Sequence, residues 1–222
     1  MFLAVSCTNN NLRLQTKILN EGNMITKEEY LKINTLLRSS ICHEWGHCLQ
    51  YLLLGYIQFV SELEVIDSLF RVDGHLKTIE LNIVAEKPDM SCMSLRYMHL
   101  SEEENISIYV AGAVAEKICG YSEGVVKGTD KNYINDISKD KKYINKIYKG
   151  VETTLTAYKG VLEDLTEITI KEYTEVYTED GKRKAYVNIP KDYIYSLLEE
   201  TLAKHGFDKE LMSIEGPNIS YH

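Results

Sequence analysis

The stretch His43-Glu44-Trp45-Gly46-His47 places two histidines four residues apart, with a glutamate directly after the first. Apolar residues recur at helical spacing around it, so the sequence predicts a helix, or two in tandem, from about Thr26 to Leu54. Residues i and i+4 of a helix lie about one turn apart on the same face. The two imidazoles can therefore share one metal ion, with Glu44 beside them as a candidate proton acceptor.

The residues around the motif predict a buried helix rather than a solvent-exposed one. Apolar groups surround the histidines on more than one side, at Ile41, Cys42, Trp45, Cys48, Leu49 and Leu52. Histidines and a carboxylate in such surroundings need partners, because burying an unpaired polar group is costly. Gly46 lowers helix propensity by roughly 1 kcal/mol. A close approach of another backbone at that point would explain the glycine.

The composition is that of a globular protein with a sizeable hydrophobic core. Of the 222 residues, 44% are hydrophobic and 26% are charged, which suits one domain with a smaller appendage. The formal net charge is −8, and such an acidic surface argues against nucleic acid or an anionic membrane as the main partner. No apolar run approaches the ~18–20 residues of a membrane-spanning helix, so we expect no span.

The cysteines predict a reducing environment. Five cysteines, an odd number, occur without any Cys-x-x-Cys spacing. Two of them, Cys42 and Cys48, flank the motif six residues apart on one predicted helix, which favours packing over a disulfide. This usage is typical of a reducing compartment, so we expect a cytoplasmic location.

The rest of the chain alternates between helical and strand-forming patterns, which predicts an α+β, mostly helical fold. Two or three strands are expected within residues 57–84, the last over Thr78–Val84. A small sheet beside the motif helix matches the usual zincin arrangement, in which an edge strand can hold an extended substrate. A hairpin is expected across Asp180-Gly181. Further helices are expected over residues 101–119, with a capping box at its start, 129–148, 152–170 and 191–204.

A catalytic zinc site needs a third protein ligand, which the motif does not contain. A histidine six residues after the second motif histidine would indicate a metzincin, but that position is Leu53. The third ligand must therefore come from farther downstream. The candidates are many carboxylates and four histidines, His75, His99, His205 and His222.

Two blocks of the sequence resemble the FtsH-type ATP-dependent zinc proteases. His43-Glu44-Trp45-Gly46-His47-Cys48 followed by Leu53-Leu54-Gly55 is similar to that family's His-Glu-Ala-Gly-His-Ala…Leu-Gly segment. Residues 111–120, Ala-Gly-Ala-Val-Ala-Glu-Lys-Ile-Cys-Gly, are similar to its Ala-Gly-Arg-x-Ala-Glu-Glu-x-x-x-Gly helix, and Gly128-Thr129 falls where the family has Gly-Ala. The resemblance covers roughly residues 27–150. It implies a zinc metallopeptidase core over 1–150 and a C-terminal extension over 151–222 packed on it.

The resemblance also implies an aspartate as the third zinc ligand, but Asn132 occupies the family's position for it. On a helix over 129–148, Asp130 lies in the middle of the apolar stripe, whereas Asp136 lies roughly a quarter turn away among polar residues. We therefore expect Asp130 to be the ligand, with Asp136 as the alternative. A plain helix N-cap would also explain Asp130. By the resemblance, Glu116 is expected to support a motif histidine. It also stays open as the third ligand, because a glutamate some 70 residues after the motif completes the site in thermolysin-like enzymes.

The expected mechanism is metal-assisted amide hydrolysis. His43, His47 and Asp130 would hold Zn²⁺, and Glu44 would take a proton from the attacking water and deliver it to the leaving amine. The sequence has no Gly-x-x-x-x-Gly-Lys-Ser/Thr loop, so a free-standing peptidase is expected. It would act on peptides, flexible tails or proteins presented by a separate unfoldase or adaptor. A non-catalytic zinc- or protein-binding domain, or a helical protein whose motif binds nothing, stay open as alternatives.

Overall fold

Helices account for most of the structure, a computed structural model that describes residues 35–57, 60, 62–72, 75–82, 100–179 and 182–207. Within these residues the α-helices are α1 (Thr35–Leu53), α2 (Glu102–Ile118), α3 (Gly128–Ile137), α4 (Lys141–Thr156), α5 (Lys159–Ile168) and α6 (Lys191–Lys204). The strands are β1 (Glu62–Val72), β2 (His75–Asn82), β3 (Thr174–Glu179) and β4 (Lys182–Pro190). The α+β, mostly helical fold class expected from the sequence is confirmed.

The strands form one antiparallel sheet in the order β2-β1-β4-β3. β1 is an inner strand, which pairs with β2 on one side and with β4 on the other, where Leu63 lies opposite Ile189 and Val65 opposite Val187. These four alternating side chains are buried, so one face of the sheet contributes to the core. α1 contacts β1, and α6 contacts both inner strands. The motif helix therefore lies beside the sheet.

The motif helix α1 packs closely against α2 because two glycines keep side chains out of their interface. A Cβ at Gly46 would stand 2.6 Å from the carbonyl oxygen of Ala111 and from the Cβ of Ala115. A Cβ at Gly112 would stand 2.5 Å from the imidazole of His43. The close backbone approach predicted at Gly46 is confirmed, and it brings α2 directly against a motif histidine.

Residues on both sides of position 150 share one core. α4 runs through this position, and β4 pairs with β1 across it. The buried indole of Trp45 donates a hydrogen bond of 2.9 Å to Thr169 Oγ1, in the π-helical turn Thr169–Tyr173 that follows α5. The residues after 150 thus help to enclose the motif helix. The division at 150 stays a sequence-based prediction, with no break in the described packing to mark it.

One helix expected to be continuous is divided in the structure. In place of a single helix over 129–148, α3 and α4 are separated by residues 138–140. Ser138 is extended, with φ −145° and ψ 144°, and the Asp140 carboxylate accepts hydrogen bonds from two backbone amides in the first turn of α4. Polar side chains that cap the backbone compete with helix continuation. The apolar spacing alone did not reveal this competition, so the prediction was wrong here.

The remaining elements follow the sequence prediction with shifted ends. The capping box of α2 is confirmed, since Ser101 and Glu104 exchange side-chain-to-backbone hydrogen bonds. The hairpin β3–β4 and α6 are also confirmed. The residues expected to form one helix over 152–170 belong instead to the last turn of α4 and to α5. The strand expected from Thr78 begins at His75. The start expected at Thr26 lies outside the described residues, as do Asp180 and Gly181.

Candidate metal centre

Two imidazoles of α1 and one carboxylate of α3 meet at a single point. The Nε2 of His43 lies 2.9 Å from Oδ2 of Asp130, and the Nε2 of His47 lies 3.6 Å from the same oxygen. One ligand atom from each of the three residues lies within 4.8 Å of the other two. Between 13% and 17% of each side chain is exposed, so the group is partly buried but reachable. This His–His–Asp group could bind a metal ion.

Asp130 reaches the histidines from the first turn of α3. This helix begins at Gly128, whose φ of 57° lies in the left-handed region that favours glycine. The N-cap position belongs to Lys127, which makes no side-chain cap, so the interpretation of Asp130 as a plain N-cap is wrong. The partial positive charge at a helix N-terminus stabilises a carboxylate in the first turn. Both the fold and the helix dipole therefore favour a charged aspartate at this point.

The competing acidic residue on α3 lies away from the motif. Asp136 is near the other end of the helix and is exposed, and Asn132, at the position where the resembling family has its aspartate, is exposed as well. The structure thus brings Asp130, and not Asp136, to His43 and His47. The role of Asp130 as a metal ligand stays a prediction.

Each motif histidine has an outer hydrogen-bond partner on α2. The Nδ1–H of His43 donates to Oε1 of Glu116 at 2.6 Å, and Ser39 Oγ donates to the other carboxylate oxygen at 3.0 Å. The Nδ1–H of His47 donates to the backbone carbonyl of Ile108 at 2.8 Å. These partners hold both Nε2 atoms toward the shared point, as outer partners of metal-binding histidines do. Glu116 therefore contacts the back of a motif histidine and is not one of the three converging residues.

The charges of the group stabilise one another in the absence of metal. Burial alone would lower the pKa of His43, but hydrogen bonds to Asp130 and Glu116 outweigh burial and raise this pKa to about 10. Burial would raise the pKa of both carboxyl groups, but their hydrogen bonds to the histidines lower it. A proton on His43 thus neutralises part of the acidic charge. A divalent cation at the same point would compete with that proton.

Glu44 is buried beside the group. It is 7% exposed and follows His43 directly on α1. Burial raises the pKa of its carboxyl group, while the charges of the two motif histidines oppose the shift. Within the part of the chain that the structure describes, its carboxylate makes no hydrogen bond. Its proton affinity is therefore set by burial and by neighbouring charge, which is typical of a proton-transfer residue.

The other histidines considered as ligands lie elsewhere or outside the described residues. His75 begins β2, and His205 follows α6, where its Nε2 lies 2.8 Å from Asp164. His99 and His222 lie outside the described residues. Among the residues that are described, metal-binding spacing occurs only where His43, His47 and Asp130 meet.

Some supporting residues had not been predicted. Ser39 lies four residues before His43, so helical spacing placed it on the same face, although nothing in the sequence pointed to Glu116 as its partner. Ile108 acts through its backbone carbonyl, which no side-chain pattern reveals. Tyr109 and Tyr133 stack between α2 and α3, with ring centroids 5.0 Å apart, and depend on how the two helices pack.

No helix in the described ranges is both long and apolar enough to cross a membrane. Three cysteines of the described residues, Cys42, Cys48 and Cys119, are free thiols.

Comparisons with protein-family models, with curated proteins and with solved structures give no match. The case for a function therefore depends on the geometry of this site.

Proposed function

We propose that this protein is a zinc-dependent metallopeptidase that hydrolyses peptide bonds. The observation that carries the proposal is the convergence of His43, His47 and Asp130 on one point beside buried Glu44. Three protein ligands leave a coordination position open, as in catalytic zinc sites, whereas structural zinc sites are closed by four ligands. An open ligand set next to a proton-transfer residue favours catalysis over a structural metal.

The donor set suits zinc better than the hard divalent cations. Two imidazole nitrogens and one carboxylate oxygen are typical zinc ligands, whereas Mg²⁺ and Ca²⁺ prefer oxygen donors throughout. Gly112 makes room for the His43 ring, and Glu116 and Ile108 hold the two rings in place, so the donors need little rearrangement. When bound here, zinc would polarise a carbonyl group and lower the pKa of a water molecule toward 7.

Glu44 is the residue that we propose moves the proton. Its raised pKa brings its proton affinity closer to neutral pH, which favours both acceptance and release. It would accept the proton of the attacking water and donate a proton to the leaving amine. Asp130 contributes negative charge that offsets a bound cation, and Glu116 keeps the His43 ring oriented throughout.

The resemblance to the FtsH-type proteases supports the same assignment. The two blocks that carry it lie largely in the C-terminal halves of α1 and α2, and these helices contact each other at Gly46 and Gly112. Since the sequence has no nucleotide-binding loop, we propose that the chain cleaves peptides and flexible tails without ATP. Stable proteins would need a separate unfoldase or adaptor. The free thiols support a reducing, cytoplasmic setting.

The test measures zinc content and hydrolysis on the same purified protein. We expect about one zinc per chain, and cleavage of unfolded casein that a chelator stops and added zinc restores. Glu44→Gln should keep the zinc and lose at least about 100-fold in kcat/KM, because general acid–base catalysis contributes typically 10²–10⁴-fold. Glu163→Gln, which changes a partly exposed glutamate on α5 that pairs with Lys159, should alter neither quantity.

Each contrary outcome has a distinct meaning. A protein without stoichiometric zinc overturns the proposed function. If hydrolysis survives Glu44→Gln, the proton-transfer mechanism is wrong. A chain that holds zinc but cleaves no unfolded protein would be the non-catalytic zinc-binding alternative.

A further inference from the structure

The helix that supplies Asp130 is weakly anchored. α3 has ten residues, its N-cap makes no side-chain hydrogen bond, and Ile134 is its one buried residue. A helix this short is marginal by itself and needs tertiary contacts to hold it. Its contacts therefore decide where the Asp130 carboxylate lies. The stack of Tyr133 on Tyr109 is one such contact.

The stack lies on the faces of α2 and α3 that converge at the metal centre. Tyr109, Gly112 and Glu116 follow one another at i, i+3 and i+7 along α2, so they share one stripe. Gly112 and Glu116 both contact His43, which shows that this stripe faces the motif. On α3, Tyr133 lies one turn after Asp130 on the same side. The aromatic pair is thus the layer next to the His–His–Asp group.

The geometry of the pair is that of a real stacking contact. The ring centroids are 5.0 Å apart and the ring planes differ by 19°, within the range of favourable offset stacking. Both tyrosines are only partly buried, and Tyr109 also packs against the hydrophobic core, so the stack ties α3 to the body of the protein. Their flat contact resists sliding and tilting of α3 against α2.

We propose that Tyr133, stacked on Tyr109, is a positioning residue that holds Asp130 at metal-binding distance from His43 and His47. The inference rests on the metal site of the proposed function but not on hydrolysis. Loss of the stack would let α3 shift and carry Asp130 away from the histidines. Zinc binding would then have to draw Asp130 back, and the free energy this costs would lower the zinc affinity. The two histidines on α1 would be unaffected, because they are oriented by Glu116 and Ile108.

The experiment compares zinc affinity by chelator competition in matched variants. Tyr133→Ala should bind zinc roughly three- to tenfold more weakly, the effect expected from losing one aromatic pair. Tyr133→Phe keeps the ring and should bind like the wild type. Tyr158→Ala is the control, because Tyr158 stacks on Phe207, with ring centroids 4.4 Å apart and ring planes 24° apart. Neither residue belongs to the metal centre. It should leave zinc affinity unchanged.

Two further measurements separate positioning from a general loss of structure. The Co²⁺-substituted Tyr133→Ala protein should show a weaker and shifted visible d–d absorption, which global stability would not change. Tyr109→Ala should weaken zinc binding in the same direction, and the double variant should lose less than the sum of the two single losses. This cycle also corrects for other contacts that either tyrosine makes.

The outcomes distinguish this inference from the proposed function. Wild-type zinc affinity in a folded Tyr133→Ala protein overturns the positioning role and leaves the peptidase proposal intact. An equal loss in Tyr158→Ala, or additive losses in the cycle, also overturns it. A wild-type protein that binds zinc without hydrolysis defeats the peptidase proposal alone. A wild-type protein that binds no zinc overturns both.

Discussion

Two regions of this molecule are built from the same parts. In each, a histidine and an aspartate are in contact, a glycine makes room for the histidine ring, and two aromatic rings stack nearby. In the first, these are His43, Asp130 and Gly112, beside the stack of Tyr109 on Tyr133. In the second, at the end of α6, these are His205, Asp164 and Gly160, beside the stack of Tyr158 on Phe207.

The difference lies in what else reaches the aspartate. At the C-terminal region, Lys204 Nζ lies 2.6 Å from Asp164, so a permanent cation already neutralises that carboxylate, and the side chains are 29–66% exposed. At the motif, a second histidine approaches the aspartate, and Glu116 adds a second carboxylate behind His43. A histidine–aspartate contact is therefore insufficient for a metal site. The second imidazole and the surplus of negative charge make the first region suitable for a cation.

The largest expected difference between the two regions is the effect of their aspartates on zinc affinity. Asp130→Ala should weaken zinc binding by more than about 100-fold, because loss of a ligand should exceed the 10–100-fold cost of losing an outer partner. Asp164→Ala and Asp136→Ala should leave the affinity unchanged, since neither carboxylate lies in the group. Chelator competition on the three folded variants measures this. If Asp136→Ala gave the large loss instead, the assignment of the ligand would be wrong.

The second effect is a pH dependence of the metal-free protein. The pKa of His43, raised from 6.5 to about 10, makes its stabilising contribution complete below pH 6.5 and lost as pH rises toward 10. We expect the free energy of unfolding, measured by urea titration after zinc removal, to fall over this window, by at most about 5 kcal/mol because each unit of pKa shift is worth about 1.4 kcal/mol. Asp130→Asn removes the largest hydrogen-bonding cause of the shift and should flatten the decline.

The matched control for this pH dependence is the cluster of Asp164, Lys204 and His205 at the end of α6. The pKa of Asp164 is lowered, first by its hydrogen bond to Lys204, so its contribution is present above pH ~4 and lost only on acidification. Asp164→Asn should therefore change the acid side of the profile and leave the decline between pH 6.5 and 10. Zinc-saturated protein should lack the decline near neutral pH, because zinc takes the place of the proton. A flat profile in the metal-free wild type would contradict the charge coupling.

Sequence alone was sufficient where the determinants are local. The start of α2 follows from the Ser101 capping box, and the pair His43 and His47 follows from helical spacing. The selection of Asp130 over Asp136 used both a resemblance and a helix face. The structure divides that helix at residues 138–140, so the position of Asp130 beside the two histidines does not depend on the full apolar stripe.

The sequence failed where a contact joins distant segments. Nothing in the pattern of residues 57–84 or 171–189 indicated that the two hairpins pair through β1 and β4 in a single sheet. Strand pairing across more than 100 residues depends on how the helices pack, and strand propensity carries no partner information. The hydrogen bond from His47 to the Ile108 carbonyl is hidden for the same reason, since it depends on the register of α1 against α2.

The smallest effect compares the two glycines that face histidine rings. Gly112→Ala would place a Cβ 2.5 Å from the His43 ring, which is held on both sides by Glu116 and Asp130 and cannot move away freely. Such overpacking costs typically 1–3 kcal/mol, of which the better helix propensity of alanine returns about 1 kcal/mol. We expect a net loss of roughly 1 kcal/mol in the free energy of unfolding, with weakened zinc binding.

Gly160→Ala is the matched change at the other region. Its Cβ would stand 2.7 Å from Cε1 of His205, but this ring is at the end of an exposed side chain and can rotate away. If the ring rotates away, the surface ion pair between His205 and Asp164 is lost, which costs about 0–1 kcal/mol. Alanine gains about as much in helix propensity over glycine, so the net change in the free energy of unfolding should be near zero. Urea unfolding of both variants measures the difference. Equal losses in the two would mean that the carboxylates around His43 do not fix its ring, and the preorganisation inferred for the metal centre would be wrong.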